Sequence, residues 1–120
     1  DEKTPDRASE AQEEQIKALE GARLMKHIRP DACVIALAID GEMLDSVELS
    51  KRLEQLGING TSHIIFVIGG SLGLPDEVLR RADYKLSFSK MTFPHQMMRV
   101  ILAEQIYRAF MIAAGAEYHK

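Results

Sequence analysis

Leu86-Ser-Phe-Ser-Lys-Met-Thr-Phe-Pro-His-Gln-Met-Met-Arg-Val-Ile-Leu-Ala-Glu-Gln-Ile-Tyr-Arg-Ala-Phe-Met-Ile112 is the stretch on which the fold turns. It reads as a short strand from Tyr84 to Phe88, a polar loop from Ser89 to Thr92, and a long helix entered at Pro94. Proline suits the first helical position, where its missing N–H would have no intrahelical partner. Apolar residues then recur at helical spacing, at Met97, Met98, Ile101, Leu102, Ile106 and Phe110. Gly115 supplies a stop. A strand thus passes through a loop into a buried helix, and open α/β sheets hold ligands at such strand ends.

Upstream, Cys33-Val-Ile-Ala-Leu-Ala-Ile39 and His63-Ile-Ile-Phe-Val-Ile68 are unbroken apolar runs, the pattern of parallel strands buried on both faces. Asp40-Gly41 reads as a turn after the first. Ser46 is expected to cap a helix to Leu56 that turns Val47, Leu49, Leu53 and Leu56 to the core, and Gly57, Asn59 and Gly60 break it. Pro75 opens a short helix to Ala82. Residues 1–8 are polar and expected to be loose. A helix from Ser9, its cap, to His27 follows, with Glu13 and Glu14 in the favourable first turns. Ile16, Leu19, Ala22, Leu24 and Met25 form its apolar stripe, and Arg29-Pro30-Asp31 ends it. Helices and strands alternate, which implies an α/β fold: one domain over residues 1–120, a parallel sheet with flanking helices and right-handed crossovers. Three strands are few for such a sheet. A further segment or a partner chain is expected to cover an exposed face.

Composition excludes several classes. The formal net charge is −3, so no global nucleic-acid signal exists. The distribution is uneven: residues 1–60 hold 13 acids and 8 bases, residues 61–120 hold 5 acids and 7 bases. Lys85, Lys90, Arg99, Arg108 and Lys120 make the second half mildly positive, and local clusters matter more to phosphate binding than the average does. No apolar run is long enough for a membrane span, and no signal peptide is visible. The single Cys33, inside an apolar run, argues against disulfides and fits a reducing cytoplasm. The chain opens at Asp1, which reads as a trimmed or engineered chain. Four histidines without an H-x-x-x-H pair, and one cysteine, argue against a metal site. His27 and His63 read as surface or edge residues and His95 as first-turn; His119 lies in a tail.

Two places could carry chemistry. Gly69-Gly70-Ser71-Leu72-Gly73 follows a buried strand, and glycines let a ligand approach backbone closely. The spacing is neither a dinucleotide fingerprint nor a P-loop, so a tight turn and a ligand loop both remain open. Arg108, on an otherwise apolar helix, reads either as an ion pair with Glu104 one turn earlier or as an anchor for phosphate or substrate. Met97-Met98 reads as core or as a subunit interface. From the residues alone, a ligand site is expected near Leu37, Gly69–Gly73 and Ser89–Phe93.

Val34-Ile-Ala-Leu-Ala-Ile-Asp-Gly41, Phe66-Val-Ile-Gly-Gly-Ser-Leu-Gly-Leu74, Thr92-x-Pro94-His95-x-x-x-Arg99, Tyr107-Arg108-Ala109 and Tyr118-His119-Lys120 together resemble the RlmH family. These are small SPOUT-class methyltransferases of bacterial large-subunit ribosomal RNA, and the resemblance covers nearly the whole chain. It implies a C-terminal trefoil knot and a homodimer through the last helix. It implies S-adenosylmethionine as methyl donor and methylation of N3 of a pseudouridine in 23S RNA on the assembled ribosome. By motif matching it implies donor binding by Leu37, Gly69, Gly70, Phe88, Ser89, Lys90, Met91, Thr92 and Phe93. It implies catalytic, substrate-side roles for Arg108, Tyr118 and His119, with His119 a candidate base. Family members carry a strand, a helix and a strand ahead of the segment matching Asp1. The resemblance therefore also leaves room for a catalytically inactive, dimeric knotted scaffold.

Overall fold

A computed structural model describes residues 10–69 and 73–119. Along the chain run α1 (Glu10–Lys26), β1 (Cys33–Met43), α2 (Ser46–Ile58), β2 (Ile64–Val67), α3 (Asp76–Arg81), β3 (Tyr84–Ser87) and α4 (His95–Ala113). Ser9 and residues 1–8, on which a cap and a loose start were expected, lie outside the described residues.

The three strands form a parallel sheet in the order β2-β1-β3. The most apolar run of the chain is therefore its central strand. Period-two alternation sends Val34 and Ala36 to one face, where they meet Val67, Leu74 and Val78, with Leu24 and Met25 of α1 alongside. Cys33 and Ile35 point to the other face, against Leu49, Leu53 and Leu56 of α2 and Leu86 of β3. Each such large side chain removed from water contributes about 1.5–3 kcal/mol before the entropic cost of ordering. The start of β1 is pinned by polar groups: Asp83 accepts from the Val34 amide at 2.8 Å, and Arg81 donates to the carbonyls of Arg29 and Ala32 at 3.1 and 2.9 Å. The buried Cys33 thiol is pushed up by burial and then by the Asp83 charge, with Arg81 opposing.

On the α2 face, α4 forms an outer layer. Ser50 Oγ donates to the Ala109 carbonyl at 2.8 Å, and Ser46 Oγ to Gln105 Oε1 at 2.7 Å. This packing touches only one side of α4. Leu102 and Ala109 are buried, whereas Met97, Val100, Tyr107 and Phe110 are exposed, Phe110 by 65%. The expectation of a buried helix thus holds for one face of α4 within the single chain. Leu19 of α1, at 56% exposure, and Val47 of α2 also point outward rather than to the core.

Three local readings are corrected. Asp40-Gly41 does not end β1: Leu37 and Glu42 both pair with Leu86, and the ladder is interrupted between them. A Cβ on Gly41 would sit 2.7 Å from the Lys85 carbonyl carbon, so only glycine lets the strand return this closely to β3. The cap of α2 is Asp45, not Ser46. Its carboxylate accepts from the Glu48 amide at 2.7 Å while Glu48 accepts from the Asp45 amide at 2.9 Å, a closed capping box that outcompetes a lone serine. Pro94 is extended (φ −56°, ψ 140°) and caps α4 from outside, with His95 the first helical residue. Gly115 ends the helix region at φ 75°, as its position predicted.

Candidate functional site

Where the first ladder of β1 stops at Leu37, and beside the carboxyl ends of β2 and β3, lies a cavity of about 720 Å³. Each wall follows from the sheet order. Leu37 comes from β1, Gly69 follows β2, and Phe88, Ser89, Met91, Thr92 and Phe93 come from the loop between β3 and α4. That loop is held by its own serines: Ser87 Oγ donates to the Ser89 carbonyl at 3.0 Å, and Ser89 Oγ accepts from the Met91 amide at 2.9 Å. Gly69 is constrained by its neighbours. A Cβ there would lie 2.7 Å from the Gly73 carbonyl carbon and 2.9 Å from the Leu74 nitrogen. Gly73 itself sits at φ 82°.

Of the residues expected to hold the donor, Leu37, Gly69, Phe88, Ser89, Met91, Thr92 and Phe93 line this cavity. Lys90 is exposed and does not line it. Gly70 lies outside the described residues. Sequence reasoning missed Ile39, Ile68 and Leu79, and also His95 and Met98 of α4. Ile39 and Ile68 end apolar runs that read as buried strands and Leu79 lies in the short helix after Pro75, and nothing local separates a core side chain from a cavity wall. His95 had a visible signal, being the first residue of a helix that follows the loop lining the cavity.

Arg108, Tyr118 and His119 form a second group, gathered on Glu104. Arg108 grips both Glu104 oxygens, Nε to Oε1 at 3.0 Å and Nη2 to Oε2 at 2.9 Å. Tyr118 OH donates to Glu104 Oε2 at 2.9 Å, and Arg108 Nη1 meets His119 Nδ1 at 2.9 Å. The guanidinium stands 4.9 Å from the centre of the Tyr118 ring, and Tyr107 meets the same ring edge-on at 5.0 Å. These bonds hold the Glu104 carboxyl below the usual carboxylate range, the Arg108 hydrogen bond first among the causes. The bond to Glu104 is also the leading cause that raises Arg108 and Tyr118. The Glu104 pairing that the spacing allowed is therefore real, and it is the frame of the cluster rather than an alternative to it.

The two groups are not one site within the chain. Thirteen residues of α4 separate His95 from Arg108, about 20 Å at the helical rise per residue. Among the described residues, no group of three His, Cys, Asp or Glu is placed to hold a metal ion, and no helix is long and apolar enough to cross a membrane.

A ligand cavity at the carboxyl ends of a parallel sheet, bounded by a loop that enters a long helix, is the arrangement of an α/β small-molecule-binding domain. A family model described as predicted SPOUT methyltransferase matches residues 2–119. Ribosomal RNA large subunit methyltransferase H of Bifidobacterium adolescentis is 65% identical over 120 residues, which is all of this chain and 76% of that protein. Proteins of the same name from Bifidobacterium animalis subsp. lactis and Clostridium novyi are 62% and 60% identical, each over 100% of this chain and 76% of its own length. The chain belongs to the RlmH family of SPOUT methyltransferases.

Proposed function

We propose that this chain methylates N3 of a pseudouridine in bacterial 23S ribosomal RNA, on the assembled ribosome, using S-adenosylmethionine. In this reading residues 1–120 form a single SPOUT domain with a C-terminal trefoil knot, working as a cytoplasmic homodimer. The observation that carries it is the cavity between the middle of β1 and the ends of β2 and β3 in a chain of this family. Its volume of about 720 Å³ falls in the range of small-molecule sites. Its walls suit a nucleoside, with apolar faces from Leu37, Phe88 and Phe93 for a base and a rigid backbone at Gly69 for polar edges. Leu37, Gly69, Gly70 and the loop from Phe88 to Phe93 would hold the donor.

When bound, a sulfonium donor supplies a methyl carbon whose leaving group departs neutral, so no acid is required of the protein. The chain must then position and exclude water. Phe88, Phe93 and Met98 keep the cavity apolar. Arg108, Tyr118 and His119 are proposed on the substrate side, where Arg108 offers positive charge to a phosphate or to the ring anion left when N3 loses its proton. Lys85, Lys90 and Arg99 add local positive charge for the RNA backbone.

Two features support a dimer. The donor cavity and the Glu104 cluster stand about 20 Å apart along α4, so a second copy is needed to bring one to the other. Met97, Val100 and Phe110 leave an apolar face on that same helix, of the kind that protein interfaces cover. Calorimetric titration with S-adenosylmethionine, light scattering of the same sample, and methyl transfer to ribosomes lacking the modification test the proposal together. Binding by a dimer with transfer to 23S RNA is expected. A chain that binds the donor but leaves ribosomes unmethylated would sink the substrate assignment.

A further inference from the structure

The hydrogen bonds at the tail decide which nitrogen of His119 carries its proton. Arginine has donors only. At the 2.9 Å contact with Arg108 Nη1, His119 Nδ1 must therefore accept, and the neutral ring holds its hydrogen on Nε2. Arg108 cannot easily turn away, because Nε and Nη2 are forked onto the two oxygens of Glu104. Glu104 is in turn braced by Tyr118 OH and by Gln105 Nε2, at 2.9 and 3.2 Å. Gln105 is tied to α2 through Ser46. A chain of hydrogen bonds thus runs from Ser46 of α2 to the imidazole.

We infer that His119 enters the reaction as a hydrogen-bond donor through Nε2–H rather than as the general base, and that Glu104, acting through Arg108, is the positioning residue that fixes this tautomer. The inference rests on the proposed substrate-side role of the tail. A general base needs a lone pair aimed at the proton it takes. Here the one basic nitrogen is occupied by a guanidinium. A uracil ring that has lost its N3 proton carries negative charge on its two carbonyl oxygens, and an N–H aimed at one of them stabilises that anion. The N3 proton then passes to water. The titratable and charged groups around His119 are Glu104, Arg108 and Tyr118, with Tyr107 behind the last. The lowered carboxyl of Glu104 and the raised hydroxyl of Tyr118 keep both in the states this arrangement uses.

Long-range proton–nitrogen NMR on the full chain labelled in its histidines reads the tautomer without any substrate. The His119 signals, identified by their loss in His119→Gln, should show hydrogen on Nε2. Glu104→Gln should shift them toward a mixture of tautomers. In methyl transfer to ribosomes, His119→Gln keeps an amide N–H in reach of the Nε2 position and should stay within about tenfold of the parent chain, with the same pH profile. His119→Phe should lose about a hundredfold. Donor affinity should be equal in all of them, which separates these losses from misfolding. Hydrogen on Nδ1 in the parent chain would overturn the inference, as would a His119→Gln variant as poor as His119→Phe. If the parent chain methylates no ribosome, the functional reading fails, while the NMR result still decides the tautomer.

Discussion

The cavity beside β1 and the Glu104 cluster are built by opposite means. The cavity is assembled from distant segments: the middle of β1, the end of β2, the loop after β3 and the first turn of α4. Its shape is a consequence of strand order and of backbone crossings without side chains. The cluster is local, drawing on α4 and the tail that follows it, and it is held by directional, charge-assisted bonds. Packing defects should therefore cripple the first, and loss of a single donor or acceptor the second.

The largest effect should come from Gly69→Val. Its Cβ would fall 2.7 Å from one backbone atom and 2.9 Å from another, and neither can retreat like the end of a flexible side chain. Donor binding by calorimetry should vanish. The chain should lose about 1–3 kcal/mol of stability or more. The nuclear Overhauser contact between Tyr107 and Tyr118 should survive in whatever fraction stays folded, and its loss would show the two regions to be coupled.

Arg108→Lys comes next. It keeps the charge and removes the fork on Glu104. Methyl transfer should fall about a hundredfold, with S-adenosylmethionine affinity retained. A parallel fall in both would break the separation. Ser50→Ala, which deletes the bond to the Ala109 carbonyl between α2 and α4, should cost about 1 kcal/mol in thermal unfolding and change neither site.

The smallest effect is that of pH on tail docking. Glu104 is held below its ordinary range, first by Arg108. Its contribution is complete above that range and is lost as pH falls through the lowered value. Tyr118 is raised, first by Glu104, so its contribution is complete below the ordinary tyrosine range and lost as pH rises through the raised value. The Tyr107–Tyr118 contact should thus hold a plateau through neutral pH and fade at both extremes. A contact fading near neutrality would point to a different proton as its support.

The same contrast governs how far the residues could be read before folding. The family resemblance, carried by short motifs, agrees with the family match over residues 2–119. Glu104 and Arg108 could be paired from their spacing, because helical neighbours are set by the helix itself. The loop from Ser89 to Phe93 could be placed beside a cavity because a strand and a helix bracket it. His95 and Met98 were not placed in the cavity, since which face of α4 turns inward depends on how α4 lies on α2. The cap of α2 was misread by one residue: Asp45 and Ser46 are both good caps, and Glu48, three residues after Asp45, decides between them by closing a capping box whose spacing was already in the sequence.

What the sequence by itself determined is local or periodic: apolar runs that become strands, helices between them, a proline at the entry to α4 and a glycine at its end. Backbone dihedrals and the burial of alternate side chains are written into neighbouring residues, so the pattern is enough. The tertiary structure alone decided the β2-β1-β3 order, the interruption of β1 opposite Leu86, and the division of the expected site into two groups about 20 Å apart. Those depend on which segments meet across the sheet, and no residue carries that information in its immediate neighbours.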